Sequence, residues 1–480
     1  MPISDQTAAP AEERARTKTQ LKPPARTDAQ KDLATKPIVP LVISLAGPAI
    51  VAQAANALYT IVDRLFIAHI PEVGDLAIAG IGICFPITIA VAAFALLVGS
   101  GGAPLASIAL GKGDVRAAEH ILGASAAMLV AISLTLTVLL EFGKVPILDA
   151  FGASADTLPY ASDFLGVYLL GTVFVQVTLG LNSFISAQGK AKVAMVSVLI
   201  GAGMSLILDP VFIFVLDMGV RGAAVANVIS QFLSAAWIVA FLASSRSAIR
   251  FRATWFRVDA TILPVLALGA SPFVMQLTEC AINVVFNTQL ERLGGDDYVA
   301  AMTIITSMMQ LIYVVNNGLQ QGVQPIISYN YGARNHERVR HAYRLGIGLL
   351  LVVMSAMVTV IAIIPETIAG LFTADAGIIA IVGSMMPLFV CGWGIFGIQC
   401  GVQCTLVGLG LAKPSLFLAI LRKIILLIPL AFVLPQFMGV TGVFVAEPIS
   451  DITSALVSIV VFRHEIRRVL GGQDAVPGME

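Results

Sequence analysis

The segments MGVRGAAVANVIS, Met218–Ser230, and MGVTGVFVAEPIS, Met438–Ser450, decide the fold, because they are one segment written twice. Eight of 13 positions are identical at a constant offset of 220. Three other blocks align at nearly that spacing. Gly47-Pro48 matches Ser271-Pro272, 224 residues on. Pro104 with Gly111-Lys112-Gly113-Asp114 matches Pro325 with Gly332-Ala333-Arg334-Asn335, and Gly189-Lys190-Ala191-Lys192 matches Gly410-Leu411-Ala412-Lys413, both offset by 221. Four blocks in one register make the chain a duplicated unit of a little over 200 residues, the kind of internal symmetry that many transporters carry.

Composition says what that unit is. The chain has 480 residues, 58% hydrophobic and 12% charged, with mean hydropathy +0.90. A soluble domain has about 25% charged residues, enough to cover its surface; this chain does not. Apolar runs of membrane-crossing length recur at 38–61, 77–99, 121–142, 161–184, 193–216, 223–244, 262–288, 300–322, 342–364, 378–406, 415–437 and 441–462. Backbone groups in lipid must pair within their own segment, and strand-type alternation is absent, so each run is a helix. The expected fold is an all-α integral membrane protein of twelve spans. An even number of spans per repeat inserts both halves the same way up, so the pseudo-two-fold axis runs along the membrane normal. Residues 37–246 form the N-lobe, 247–261 a linker and 262–468 the C-lobe. The polar stretches 1–36 and 469–480 read as disordered tails, and the first apolar run starts too late for a signal peptide.

Basic residues set the orientation. With a cytoplasmic N-terminus, 25 of 29 Lys and Arg fall in the tails or inner loops, with Lys413, Arg422 and Lys423 counted among the inner loops. Only Arg64, Lys144, Arg221 and Arg292 fall outside. Both termini are thus expected in the cytoplasm. The basic face is a topology signal and implies no nucleic-acid partner; the bilayer and a small-molecule lipophilic substrate are the expected partners of a monomer. Cys84, Cys280, Cys391, Cys400 and Cys404 all lie inside predicted helices with no Cys/His cluster, and read as packing residues rather than metal ligands.

Ionisable residues within spans are rare and mark function. Asp63 lies about 37 Å along the first span and Asp209 about 24 Å along the fifth, both toward the outer side. The sixth span brings Asn227 to similar depth, and Ser205 precedes Asp209 by one turn on the same face. Two carboxylates in a low-dielectric pocket repel each other, and a shared proton or a Na⁺ ion relieves the repulsion. Equally open from spacing alone are an Asp63–Arg64 interfacial pair and a plain kink at Asp209-Pro210. In the second half, Asp63 maps to Asn287 and Asp209 to the neighbourhood of Pro429, so the pair has no twin there. Glu279 is then the C-lobe carboxylate well inside an apolar run. Gln53, Gln276, Asn287 and Gln399 join it as candidates to line a substrate cavity.

The run from Gly47-Pro48 through Leu58-Tyr59-Thr60-Ile61-Val62-Asp63-Arg64-Leu65-Phe66 resembles multidrug and toxic compound extrusion (MATE) transporters, as do Gly201–Phe214, Gly219–Ala224 and the turn Ala187-Gln188-Gly189-Lys190. The likeness runs from about 37 to 465 and is nearest the bacterial drug-exporting branch with N-lobe aspartates. It implies a cation-coupled antiporter with no cofactor and no enzymatic chemistry. It further implies coupling by H⁺, or less favourably Na⁺, at Asp63 and Asp209, with Asn227 and Asn182 in the network. Ser205 replaces an asparagine common in the family, and the aspartate that the Na⁺-driven branch carries in its tenth span has no match in 378–406. The expected cargo is a lipophilic cation. A lipid-linked glycan flippase of the same superfamily would show more helices and a cationic cavity. An intramembrane prenyl transferase would need a DDxxD-like cluster, and Asp296-Asp297 is a lone pair in an expected loop.

Overall fold

The computed structural model describes residues 28–71 and 73–470, and every regular element among them is helical. Twelve spans form, ten as single helices and two as bent pairs. In the N-lobe these are α2 Ile38–Ala68, α3 Gly74–Gly111, α4 Val115–Ala150, the pair α5 Leu158–Leu170 and α6 Thr172–Ala187 bent by 57°, α7 Ala191–Pro210, and α8 Gly219–Ala243. In the C-lobe they are α9 Ile262–Gly294, α10 Asp296–Gly332, α11 His336–Ile363 followed by a single turn, α12 Pro365–Ala369, and the pair α13 Ala376–Val390 and α14 Trp393–Gly408 bent by 41°. The last two spans are α15 Ala412–Ile420 running into α16 Ile428–Met438, and α17 Thr441–Leu470. Wide π-type turns sit inside two spans, at Val211–Val215 after α7 and at Leu421–Leu427 between α15 and α16.

The duplication is visible in how helices begin. The Asp114 side chain accepts from Ala117 N at the head of α4, and its counterpart Asn335 accepts from Arg338 N at the head of α11. Short polar side chains satisfy the free N–H groups that a helix start leaves over. Gly189 and Gly410, also counterparts, turn the chain with φ of 78° and 76°, a region glycine enters without a Cβ clash.

One sequence expectation is corrected here. Residues 28–35 are not tail but a helix, α1 Asp28–Thr35, with Leu33 wholly buried. Asn330 Nδ2 donates to Leu33 O at 3.0 Å, and Arg338 Nη2 donates to Leu33 O and Lys36 O at 3.1 and 2.7 Å, so free carbonyls at the C-terminal end of α1 are satisfied by the C-lobe. Residues 469 and 470 of the other expected tail likewise belong to a helix, the end of α17, while 1–27 and 471–480 lie outside the described residues.

The lobes meet at the end of the bundle that carries the basic loops. Glycines there allow backbone-to-backbone contact. A Cβ added at Gly269 would fall 1.7 Å from Leu97 O, at Gly101 2.0 Å from Val265 O, at Gly111 2.0 Å from Tyr329 O and at Gly332 2.1 Å from Ile108 O. Farther along, the α9 face that carries Val265, Gly269 and Phe273 toward α3 continues as Gln276, Asn283 and Asn287. Phe273 still meets Phe94, at 5.0 Å between ring centres, but Asn283 and Asn287 are exposed. The cleft therefore opens away from the basic end.

The inter-lobe linker is clamped to the N-lobe. Gln188 Oε1 accepts from Ser247 Oγ, Ala248 N and Ile249 N at 3.0, 2.7 and 3.2 Å. Glu119 pairs with Arg252 at 2.6 Å, and His120 Nε2 reaches Asp259 Oδ2 at 2.8 Å. Hydrogen bonds from Thr261 and His120 hold the Asp259 carboxyl well below the usual carboxylate range. A lowered carboxyl favours the docked linker above its undocked value of 3.8 and loses that contribution as pH falls further. Asp259→Asn should therefore speed tryptic cleavage at Arg252 and Arg257 by about three-fold at pH 7.5, through easier local opening. Gly269→Val should keep the protein monodisperse but prevent closure at the basic end, read as faster thiol labelling of a cysteine placed at Leu97.

Candidate functional site

Asp209 lies in the last turn of α7, just before Pro210, which offers no N–H, and a wide turn follows. Its side chain is fully buried, and neither carboxylate oxygen has a hydrogen-bond partner. An ionised carboxylate stripped of water without a donor is costly; a proton, a cation or a donor arriving in another conformation removes the cost. Asp63 is half-buried on α2, within electrostatic reach of Asp209. The Tyr59 hydroxyl accepts from Asn227 Nδ2 at 2.7 Å and lies within reach of Ser205, Asp63 and Asp209. Asn227 Oδ1 and Ser205 Oγ are themselves buried without partners.

The structure thus brings Asp63, Asp209, Ser205 and Asn227 together, from α2, α7 and α8. Arg64 does not pair with Asp63; its guanidinium lies 5.1 Å above the Phe85 ring. Tyr59, the hub of the group, was not among the sequence candidates. Its signal was available, since it precedes Asp63 by one turn on the same helix face. Asn182 stands apart. Its amide donates to Ala194 O at 3.4 Å and accepts from Ser197 Oγ at 3.3 Å, four turns from Asp209 along α7. It lines a cavity of about 260 Å³ near the basic end, together with Gln53, Asn56, Gln321 and Gln324.

The C-lobe requires the larger correction. Arg422 and Lys423, counted above in a basic loop, stand inside the eleventh span on the wide turn Leu421–Leu427, each about 1% exposed. Arg422 Nε donates to Asp451 Oδ1 at 2.7 Å and Nη2 to Glu447 Oε1 at 2.8 Å, while its guanidinium stacks 3.7 Å above the Phe396 ring. Lys423 Nζ donates to Glu279 Oε2 at 2.7 Å. Glu279 is therefore not the one carboxylate inside a C-lobe span: Glu447 and Asp451, one turn apart on α17, join it. The internal repeat already aligned Glu447 with Asn227, and this was the overlooked sign. Gln399 also leaves the list of cavity residues. It is buried, accepting from Ser454 Oγ and donating to Leu418 O. Gln276 and Asn287 remain on the α9 face that borders the cleft, as described above.

A two-lobed helical membrane protein with a cleft between its lobes and uncompensated carboxylates in its spans has the architecture of a secondary transporter. The MatE family model matches residues 48–211 and again 272–433, once per lobe, and the chain belongs to that family, the MATE transporters. It is 25% identical over 419 residues to a multidrug export protein, MepA, of Staphylococcus haemolyticus, covering 86% of this chain and 91% of that one. MepA of Staphylococcus aureus is 26% identical over 431 residues, covering 88% and 93%. Among solved structures, a MATE protein in complex with MaD3S superposes with a TM-score of 0.86 at 22% identity, over 93% of this chain and 99% of that one. An outward-facing multidrug resistance MATE transporter of the MOP superfamily gives 0.83, also at 22% identity, over 93% and 98%. These likenesses agree with the twelve-helix fold.

The two charged groups should respond oppositely to neutralisation. Asp209→Asn removes a carboxylate that has no donor, so thermal unfolding in detergent should stay within about 2 °C of wild type or rise. Arg422→Met leaves Glu447 and Asp451 buried and unpaired, and should cost about 3–5 kcal/mol, seen as a large fall in melting temperature.

Proposed function

We propose that this transporter is a secondary antiporter that exports lipophilic, predominantly cationic compounds in exchange for protons. The observation that carries the reading is the Asp209 carboxylate, buried in the N-lobe with both oxygens unpartnered and Asp63 within electrostatic reach. The names of its relatives, multidrug export proteins, support drug export as the activity.

In this reading the basic end faces the cytoplasm of a bacterial inner membrane, following the distribution of Lys and Arg. The structure then has its cleft open to the outside. A proton from that side reaches Asp63 and Asp209, and Tyr59 and Asn227 exchange partners as the charge is removed. The change at α2 weakens the hold on cargo, which leaves outward; the lobes then rock and the proton departs inward. A membrane potential adds about 2.3 kcal/mol per charge for each 100 mV, enough to sustain a steep gradient. Na⁺ on Asp63, Asp209 and Asn227 is the second reading, favoured by the oxygen-rich set of groups but with no partner set completed in the structure.

Inside-out vesicles containing the protein should accumulate ethidium when a pH gradient is imposed and not when a Na⁺ gradient replaces it. Asp209→Asn should abolish that uptake while expression and folding stay normal. Undiminished uptake in this variant overturns the coupling assignment, and uptake driven by Na⁺ alone selects the second reading.

A further inference from the structure

The C-lobe cluster joins residues of three spans, and its charges do not balance. Glu279, Glu447 and Asp451 supply three carboxylates; Arg422 and Lys423 supply two cations. Arg422 is committed, held by two carboxylates and a ring. Lys423 is not. Its ammonium sits on Glu279, yet Glu447 and Asp451 are also within its electrostatic reach, and Asp451 Oδ2 is fully buried with no hydrogen-bond partner. A second acceptor for Lys423 therefore waits in the interior.

The exposures differ in a directed way. The Lys423 side chain is 2% exposed and that of Glu279 40%. Glu279 belongs to α9, whose neighbouring residues Gln276 and Asn283 border the cleft. One partner of the pair has exposed surface on that side of α9 and the other has almost none, so a cation arriving there meets a carboxylate already occupied by an internal ammonium.

We propose that Lys423 is a tethered competitor and a specificity-determining residue: its ammonium holds Glu279 in the empty transporter, and an organic cation in the cleft displaces it toward Glu447 and Asp451. The exchange leaves every charge paired, because the ammonium moves to the cluster's one uncompensated carboxylate as the incoming cation takes Glu279. A neutral lipophile gains nothing at Glu279, since it cannot replace the ammonium, and so the pair screens cargo by charge. This rests on the exporter reading above and deepens it, naming a C-lobe site for the cargo's positive group.

The test is equilibrium binding of tetraphenylphosphonium, a permanent cation, against triphenylphosphine oxide, a neutral compound of similar shape. Full-length protein in lipid nanodiscs is used with no ion gradient, so the outcome is independent of the coupling assay. Lys423→Met should bind the cation about ten-fold more tightly and the neutral compound unchanged, by relief of one competing charge. Glu279→Gln, which leaves Lys423 in place, should bind the cation about ten-fold more weakly, and the double variant should lose the gain seen in Lys423→Met. Cation affinity that is unchanged or reduced in Lys423→Met, or a gain shared by the neutral compound, overturns the proposal. Should Lys423→Met fail to fold, Glu279→Gln decides by itself: unchanged cation affinity in that variant also overturns it. Loss of ethidium transport by the wild type would instead strike the exporter reading.

Discussion

Every polar group within the spans is placed under one constraint: the bilayer interior offers no water to satisfy it. The backbone meets that constraint by becoming helix throughout the spans. Side chains meet it by finding partners, and the clearest case is Arg422, whose charge is shared among Asp451, Glu447 and the Phe396 ring. The same constraint makes exceptions conspicuous. Asp209 is buried with no donor, so its ionised form is unstable in this conformation, and a group in that condition is suited to taking up and giving back a cation.

The lobes solve the constraint differently while sharing a scaffold. At the place where α8 carries Asn227, α17 carries Glu447; where the N-lobe gathers Tyr59, Ser205 and two aspartates, the C-lobe gathers an arginine, a lysine and three carboxylates. The N-lobe group is short of donors and the C-lobe group is one positive charge short. Duplication supplied the geometry, and divergence of a few buried residues gave each half its own electrostatic character. The asymmetry read from the sequence was real for Asp63 and Asp209 but incomplete, because the second half is charged too.

The proposed rocking demands a joint that closes tightly without being glued. The glycines that bring α3 against α9 and α10 provide it: their contacts are backbone against backbone, with no side chain to interlock. Helix α1 lies on the same end, with Leu33 against the Gly189 turn of one lobe and its carbonyls held by Asn330 and Arg338 of the other. The clamped linker keeps the covalent connection out of the cleft.

The sequence by itself determined the membrane class, the twelve spans, the duplication and the N-lobe aspartates, because each follows from local quantities: hydropathy over about 20 residues, a fixed repeat offset, or a lone charge in an apolar run. It extended poorly to helix ends such as Gly74 and Gly111, where small residues neither stop nor announce a helix. Only the tertiary structure decided that Arg422 and Lys423 are interior. Ten residues into an apolar span, a basic pair reads as a loop until partners arrive from α9 and α17, 144 residues before Lys423 and 25 to 29 after Arg422. Tertiary structure likewise separated Asn182 from the aspartates and placed Tyr59 among them. Partnership between distant buried charges is a property of packing, and no local pattern encodes it.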